Sequence, residues 1–227
     1  MTLKEKDFPS IEAAASALAV MLAHVAQKTI SEDGNAVIAV SGGQTPRMVF
    51  ERLRESRMPW DKVIVTLTDE RWVPNDHAES NERLVKRFLL KGPAESARFI
   101  PLYGGESSPM AGLSACQSRL LELHKPIDAI YLGMGADGHI ASLFPNTRGI
   151  ESSHSNCVAI AATQDRTARL SLSIDTSLAA RNIFLLYSGP KKHKAYLAAK
   201  ESDDFSGSPL RALLTQHEKP VGVLRAI

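Results

Sequence analysis

The chain has 227 residues, 44% of them hydrophobic and 23% charged, the composition of an ordinary globular protein that can bury a substantial core. Its formal net charge is +2, with a sequence pI near 8.5, and no basic cluster interleaves with aromatics. A nucleic-acid partner is therefore not expected.

The first predicted element is a helix over residues 11–28. Ile11, Ala15, Leu18, Leu22 and Val25 recur at helical spacing, and Ser10 is placed to cap the N-terminus. The Ala-rich run is not read as a secretion signal. Glu5, Asp7, Pro9 and Glu12 stand where a positive region should precede the apolar one. No run approaches the roughly 18 apolar residues of a membrane span, so a cytoplasmic protein with no membrane partner is expected.

Short apolar runs then alternate with helical patterns. Strands are predicted over 36–40, 63–67, 129–132, 170–174, 183–187 and 221–224, and helices or helical turns over 46–55, 80–89, 110–123, 177–180 and 194–199. This alternation predicts an α/β fold, a single domain over 1–227 whose mostly parallel sheet carries helices on both faces. Ligands in such sheets bind outside the carboxyl ends of the strands, which is where four distinctive loops fall. The Gly/Ser/Pro-rich stretches 103–109 and 202–209 read as surface loops.

The first loop, Ser41-Gly42-Gly43-Gln44-Thr45-Pro46, follows the strand 36–40. Thr45 suits an N-cap and Pro46 the first helical position. Two glycines and a helix N-terminus make an anion site, typically for phosphate. The P-loop lysine is absent, and a tight turn without a ligand is the alternative. The second loop, Thr68-Asp69-Glu70-Arg71-Trp72-Val73-Pro74, sets a carboxylate pair and an arginine at a strand end, suited either to a polar substrate or to a solvated charge cluster.

The third loop follows the strand 129–132 and reads G-M-G-A-D-G-H-I-A-S-L-F-P over 133–145. It joins flexible backbone to Asp137 and His139, an acid beside the side chain best suited to move protons near neutral pH. Gly133, Gly135 and Gly138 formally match a dinucleotide fingerprint. That reading fails because Asp137 would oppose a pyrophosphate and Pro145 would cut the required helix short. No acid ends a second strand about 20 residues on, since Glu151 lies in a polar loop. The fourth loop, 188–194, offers Lys191, Lys192 and Lys194 as point charges for a phosphate, or a solvated helix start. Arg166 and Arg169 precede the strand 170–174, where they can face the same rim.

His24, His77, His124, His154 and His217 show no partner pattern and are read as surface or core residues. No metal-ligand spacing is present, so no metal is expected. Cys116 and Cys157 are isolated in sequence, which points to a reducing compartment and against a structural zinc.

Taken together, S-G-G-Q-T-P (41–46), T-D-E-R-W-V-P (68–74), S-N-E-R (80–83), the 133–145 block, R-L-S-L-S (169–173) and S-G-P-K-K (188–192) closely resemble the 6-phosphogluconolactonase family. That family shares a superfamily with glucosamine-6-phosphate deaminase and isomerase. The resemblance implies hydrolysis of 6-phospho-D-glucono-1,5-lactone to 6-phosphogluconate in the oxidative pentose phosphate route, without a metal or organic cofactor; a monomer or homodimer is expected. Carried over by motif, His139 is the general base, Asp137 orients it, and Arg71, Asp69 and Arg169 line the substrate site. Ser41, Gly42, Gly43, Gln44 and Thr45 hold the phosphate with Lys192, for which Lys194 is the alternative. Deaminases of the superfamily place a proton-relaying glutamate where this chain has Phe144. Lactone hydrolysis needs no such ring-opening relay.

Overall fold

A computed structural model describes residues 3–123, 126–145, 155–201 and 207–227. Its main sheet is parallel throughout and has seven strands: β1 (Leu3–Asp7), β2 (Ala36–Val40), β3 (Val63–Leu67), β5 (Arg98–Ile100), β6 (Ala129–Gly133), β9 (Asn182–Ser188) and β10 (Val221–Ala226), in the order β1-β10-β9-β6-β2-β3-β5. Every residue of β2 is buried, as are residues 129–132 of β6. Alternate side chains of a strand point to opposite faces, so burial at every position means that both faces are covered. The predicted α/β architecture is the one observed.

Between the strands lie α1 (Ile11–Asp33), α2 (Gln44–Leu53), α3 (Asn81–Phe88), α4 (Pro109–Leu121), α5 (Ile174–Ala179), α6 (Pro190–Glu201) and α7 (Pro209–Thr215). By length and composition α1 would suffice to cross a membrane, but it is a core helix. Ala14, Ala15, Leu18, Leu22 and Ala26 are completely buried, and the helix packs across β2, β6, β9 and β10. Ser10 caps it as expected.

A second, antiparallel sheet of order β4-β8-β7 was not foreseen: β4 (Asp69–Arg71), β7 (Cys157–Ile160) and β8 (Arg169–Leu172). Thr68 is the hinge between the sheets. Its N–H donates to Val40 of the main sheet, and its carbonyl accepts from Leu172 of the small one. The strand expected over 170–174 is thus β8, outside the parallel sheet. It stops at Leu172 because Ser173 turns to cap α5, its hydroxyl accepting from the Thr176 N–H. Cys116 on α4 and Cys157 on β7, isolated in sequence, are both buried and hydrogen-bonded to each other, which together with burial pushes the Cys116 thiol up.

The chain starts at the β1 edge, crosses through α1 to β2, runs outward through β3 and β5, then crosses back to β6 and continues through β9 and β10, which pairs with β1. The loops after β2 and β6 therefore diverge to opposite sides, and the crevice between them is where open α/β sheets bind ligands.

Candidate active site

A cleft of about 320 Å³ opens at that crevice. Four strand ends feed it: 41–46 after β2, Asp69 and Arg71 after β3, 133–141 after β6, and Lys192 after β9. Of the residues expected from sequence, Ser41, Gly42, Gly43, Gln44, Thr45, Asp69, Arg71, His139, Arg169 and Lys192 all line it. Asp137 does not. It reaches the site through the imidazole, whose Nδ1 it engages.

One wall is the start of α2. The helix begins at Gln44, one turn position before the expected Thr45 cap, because Gly43 takes the N-cap place with φ of 114°, a conformation side chains rarely tolerate. Serine side chains cap α1, α3, α4, α5 and α7, whereas none caps α2. Its first-turn N–H groups and the positive end of its dipole are thus left facing the cleft, an arrangement that attracts an anion. Lys192 comes to the same cleft from the first turn of α6, and burial pulls its pKa below the usual lysine range. Lys194 is exposed on the same helix and does not line the cleft.

The floor is cationic. In the β4/β8 ladder Arg71 stands directly opposite Arg169, and Asp69 opposite Ser171. Period-two alternation turns Asp69 and Arg71 to one face and Glu70 to the other, so the expected carboxylate pair is split. Asp69 accepts from the Ser142 hydroxyl at 2.6 Å and lies 3.8 Å from Arg169 Nη1, which also donates to Ser142 Oγ at 3.2 Å. The Nε of Arg71 and that of Arg169 are buried without a protein partner among the described residues. Burial lowers the Arg169 pKa from its ordinary value.

Glu70 points away and ties β4 to α3. Its carboxylate accepts from the N–H groups of Arg71, Asn81 and Glu82 at 2.7–2.8 Å and from the Ser80 hydroxyl at 3.1 Å. Burial pushes this carboxyl up to about 7 against the pull of those N–H groups. The clasp explains why T-D-E-R and S-N-E-R occur together. It also delivers Asn81, which sequence reasoning missed: its Nδ2 donates to the Asp69 carbonyl and its side chain lines the cleft against Gly42.

The opposite wall is the 133–145 loop. Residues 134–145, which follow β6, form no helix. Gly135 N–H donates to the His139 carbonyl, and Met134 bridges Ile140, closing a tight turn that has no place for a dinucleotide. His139 Nδ1 lies 2.6 Å from Asp137 Oδ1. Against the opposing effect of burial, the imidazole's charge and hydrogen bond hold the Asp137 carboxyl below the usual carboxylate range. With Nδ1 engaged, Nε2 is the ring nitrogen left for chemistry. The pair packs directly over Gly135, where a Cβ would fall 2.2 Å from Nδ1 and 2.3 Å from the carboxylate. Ala141, two residues on, takes φ of 49°, a strained conformation at the cleft edge.

His24, His77 and His217 are exposed, in keeping with their surface reading, whereas His124, His154 and Glu151 lie outside the described residues, as does most of the 202–209 loop. Among the described residues no group of three His, Cys, Asp or Glu side chains converges to hold a metal.

Residues 9–221 match the family model described as glucosamine-6-phosphate isomerases/6-phosphogluconolactonase. This chain belongs to that family. Among relatives, it is 38% identical over 205 residues to a 6-phosphogluconolactonase of Pseudomonas aeruginosa, covering 88% of this chain and 86% of that one. It is 40% identical over 210 residues to that of Pseudomonas putida, with the same coverage. In structure it resembles a 6-phosphogluconolactonase from Shewanella baltica with a TM-score of 0.95, 36% identity, and 99% and 98% of the two chains covered. A monomeric glucosamine-6-phosphate deaminase shares the family fold at a TM-score of 0.80 and 19% identity, which speaks to the fold alone.

Proposed function

We propose that this chain hydrolyses 6-phospho-D-glucono-1,5-lactone to 6-phospho-D-gluconate, with His139 as general base and without a metal. The observation that carries the reading is the layout of one cleft, with an uncapped helix N-terminus and Lys192 at one wall and a carboxylate-held imidazole at the other. The phosphate binds the 41–45 turn and Lys192, which fixes the ring and converts remote binding energy into orientation.

Neutral His139 then takes a proton from water through Nε2 while the oxygen adds to the lactone carbonyl, a contribution of about 10²–10⁴-fold. Arg71 and Arg169, each with an unengaged Nε, supply positive charge for the developing oxyanion. Collapse of the tetrahedral intermediate breaks the ring C–O bond, and the imidazolium returns its proton to the departing oxygen. Asp137 holds the ring by Nδ1 throughout. Phe144 at the position of the deaminase relay glutamate supports hydrolysis over deamination.

The test is lactone disappearance corrected for spontaneous hydrolysis. Wild-type protein treated with a chelator should keep full activity, and His139→Ala should lose at least about 10²-fold in kcat while still binding 6-phosphogluconate. An unchanged rate for His139→Ala removes the imidazole from the chemistry, and loss of activity on chelation removes the metal-free reading.

A further inference from the structure

The edge of the His139 ring is held by Asp137, but an edge contact alone leaves the plane of the ring free to rock. Packed against the ring is Phe144, with ring centroids 4.7 Å apart and the planes tilted by 48°. Phe144 is only 5% exposed and does not border the substrate cleft. It borders a second cavity of about 340 Å³, lined by 159–163, Arg166 and Thr167. The phenyl ring therefore stands between the imidazole and this second cavity.

Arg166 occupies that side. Its guanidinium carbon sits 3.8 Å over the Phe144 ring, with Arg169 at 5.6 Å. A guanidinium over an aromatic face is attracted by the ring quadrupole. Its backbone is fixed in turn. Thr163 N–H donates to the Arg166 carbonyl at 2.9 Å in the turn that joins β7 to β8.

We propose that Phe144 and Arg166 are positioning residues, a backing plate that sets the plane of the His139 imidazole and so aims Nε2 at the water that attacks the lactone carbonyl. This rests on the reading of His139 as general base. Neither residue touches substrate, so their loss acts on turnover and not on binding.

Phe144→Leu should lower kcat by roughly 10- to 100-fold with KM changed less than about twofold, the penalty of a base displaced by about 1 Å. Phe144→Tyr, which keeps the ring, should retain kcat. Arg166→Gln should lower kcat several-fold, and Arg166→Lys should recover part of the loss. In NMR spectra the His139 ring protons, displaced by the Phe144 ring current, should move toward free-imidazole positions in Arg166→Gln. If Phe144→Leu does not fold, the Arg166 pair and the NMR shift decide the matter alone. Wild-type kcat in Arg166→Gln, or a rise in KM at constant kcat, overturns the proposal. Full activity of His139→Ala would instead overturn the reading beneath it, so the two failures are distinguishable.

Discussion

Arg71 and Arg169 stand directly opposite each other across the β4/β8 ladder, two like charges on one face of an antiparallel pair. Such a pairing costs roughly 0.2–1 kcal/mol where nothing neutralises it. Asp69, 3.8 Å from Arg169 Nη1, offsets part of that charge, and an anion in the cleft would offset the rest. The floor of the cleft is thus built against its own stability, in the way binding sites commonly are.

Arg71→Met should therefore leave the ligand-free protein within about 1 kcal/mol of wild type, measured by urea denaturation. The same change should lower kcat/KM by about 10²-fold or more through loss of a charge-stabilising donor. It should also reduce the rise in Tm that saturating 6-phosphogluconate gives. A variant that loses stability and activity in proportion would assign Arg71 to the scaffold.

Lys192 gives a pH prediction whose sign is fixed by its surroundings. Burial disfavours the ammonium, so its pKa lies below the ordinary 10.5 and the positive charge is lost earlier as pH rises. The KM for the phosphorylated lactone should climb on the alkaline side below pH 10.5, with kcat little changed. Lys192→Met should show a raised KM without that climb. Lys194→Met, at an exposed position, should behave as wild type.

How much of this was legible in the sequence follows from which signals are local. The buried strands β2, β3, β6, β9 and β10 were readable because covering both faces of a parallel sheet demands continuous apolar runs. β1 was not, because an edge strand can be charged: Leu-Lys-Glu-Lys-Asp is mostly exposed and ties its carboxylates to Arg225 and Lys200. Of the small sheet only β8 was readable, as the strand over 170–174; β4 is three charged residues and β7 four residues, too short to stand out. At the site, loop residues after strand ends were found because Gly, His and Arg clusters mark them locally. Ser142 was missed because its bridge between Asp69 and Arg169 exists only after three distant segments meet. The same is true of Glu70, whose neighbours in sequence suggest a ligand contact while its carboxylate is engaged by the Arg71 N–H and the start of α3.

Glu70 predicts a pH-dependent stability. Its carboxyl is raised from an ordinary 4.5 to about 7, mainly by burial. Between those values the folded protein keeps a proton that the unfolded chain releases, so the contribution is complete below pH 4.5 and is lost as pH rises through 7. At about 1.4 kcal/mol per unit this amounts to on the order of 3 kcal/mol. Glu70→Gln cannot titrate, and the difference in unfolding free energy between wild type and variant should narrow in the variant's favour from pH 4.5 to 7. A difference independent of pH would mean that the carboxyl is already ionised across that range.

Gly135 is the position where the smallest change should separate chemistry from binding. Asp137 and His139 pack over its Cα so closely that an added Cβ would sit 2.2–2.3 Å from their atoms. No real contact is that short, so in Gly135→Ala the pair must move while the remote 41–45 turn and Lys192 stay in place. A shift of about 1 Å in a catalytic group costs roughly 10²-fold. Gly135→Ala should accordingly lose about that much in kcat, with KM and the affinity for inorganic phosphate close to wild type. Gly138→Ala, where nothing lies within 4 Å of the added Cβ, should act only through its φ of 83° and therefore on stability. If Gly135→Ala weakens phosphate binding as much as it slows turnover, the two walls of the cleft are not independent, and the division into an anion wall and a proton-transfer wall falls with it.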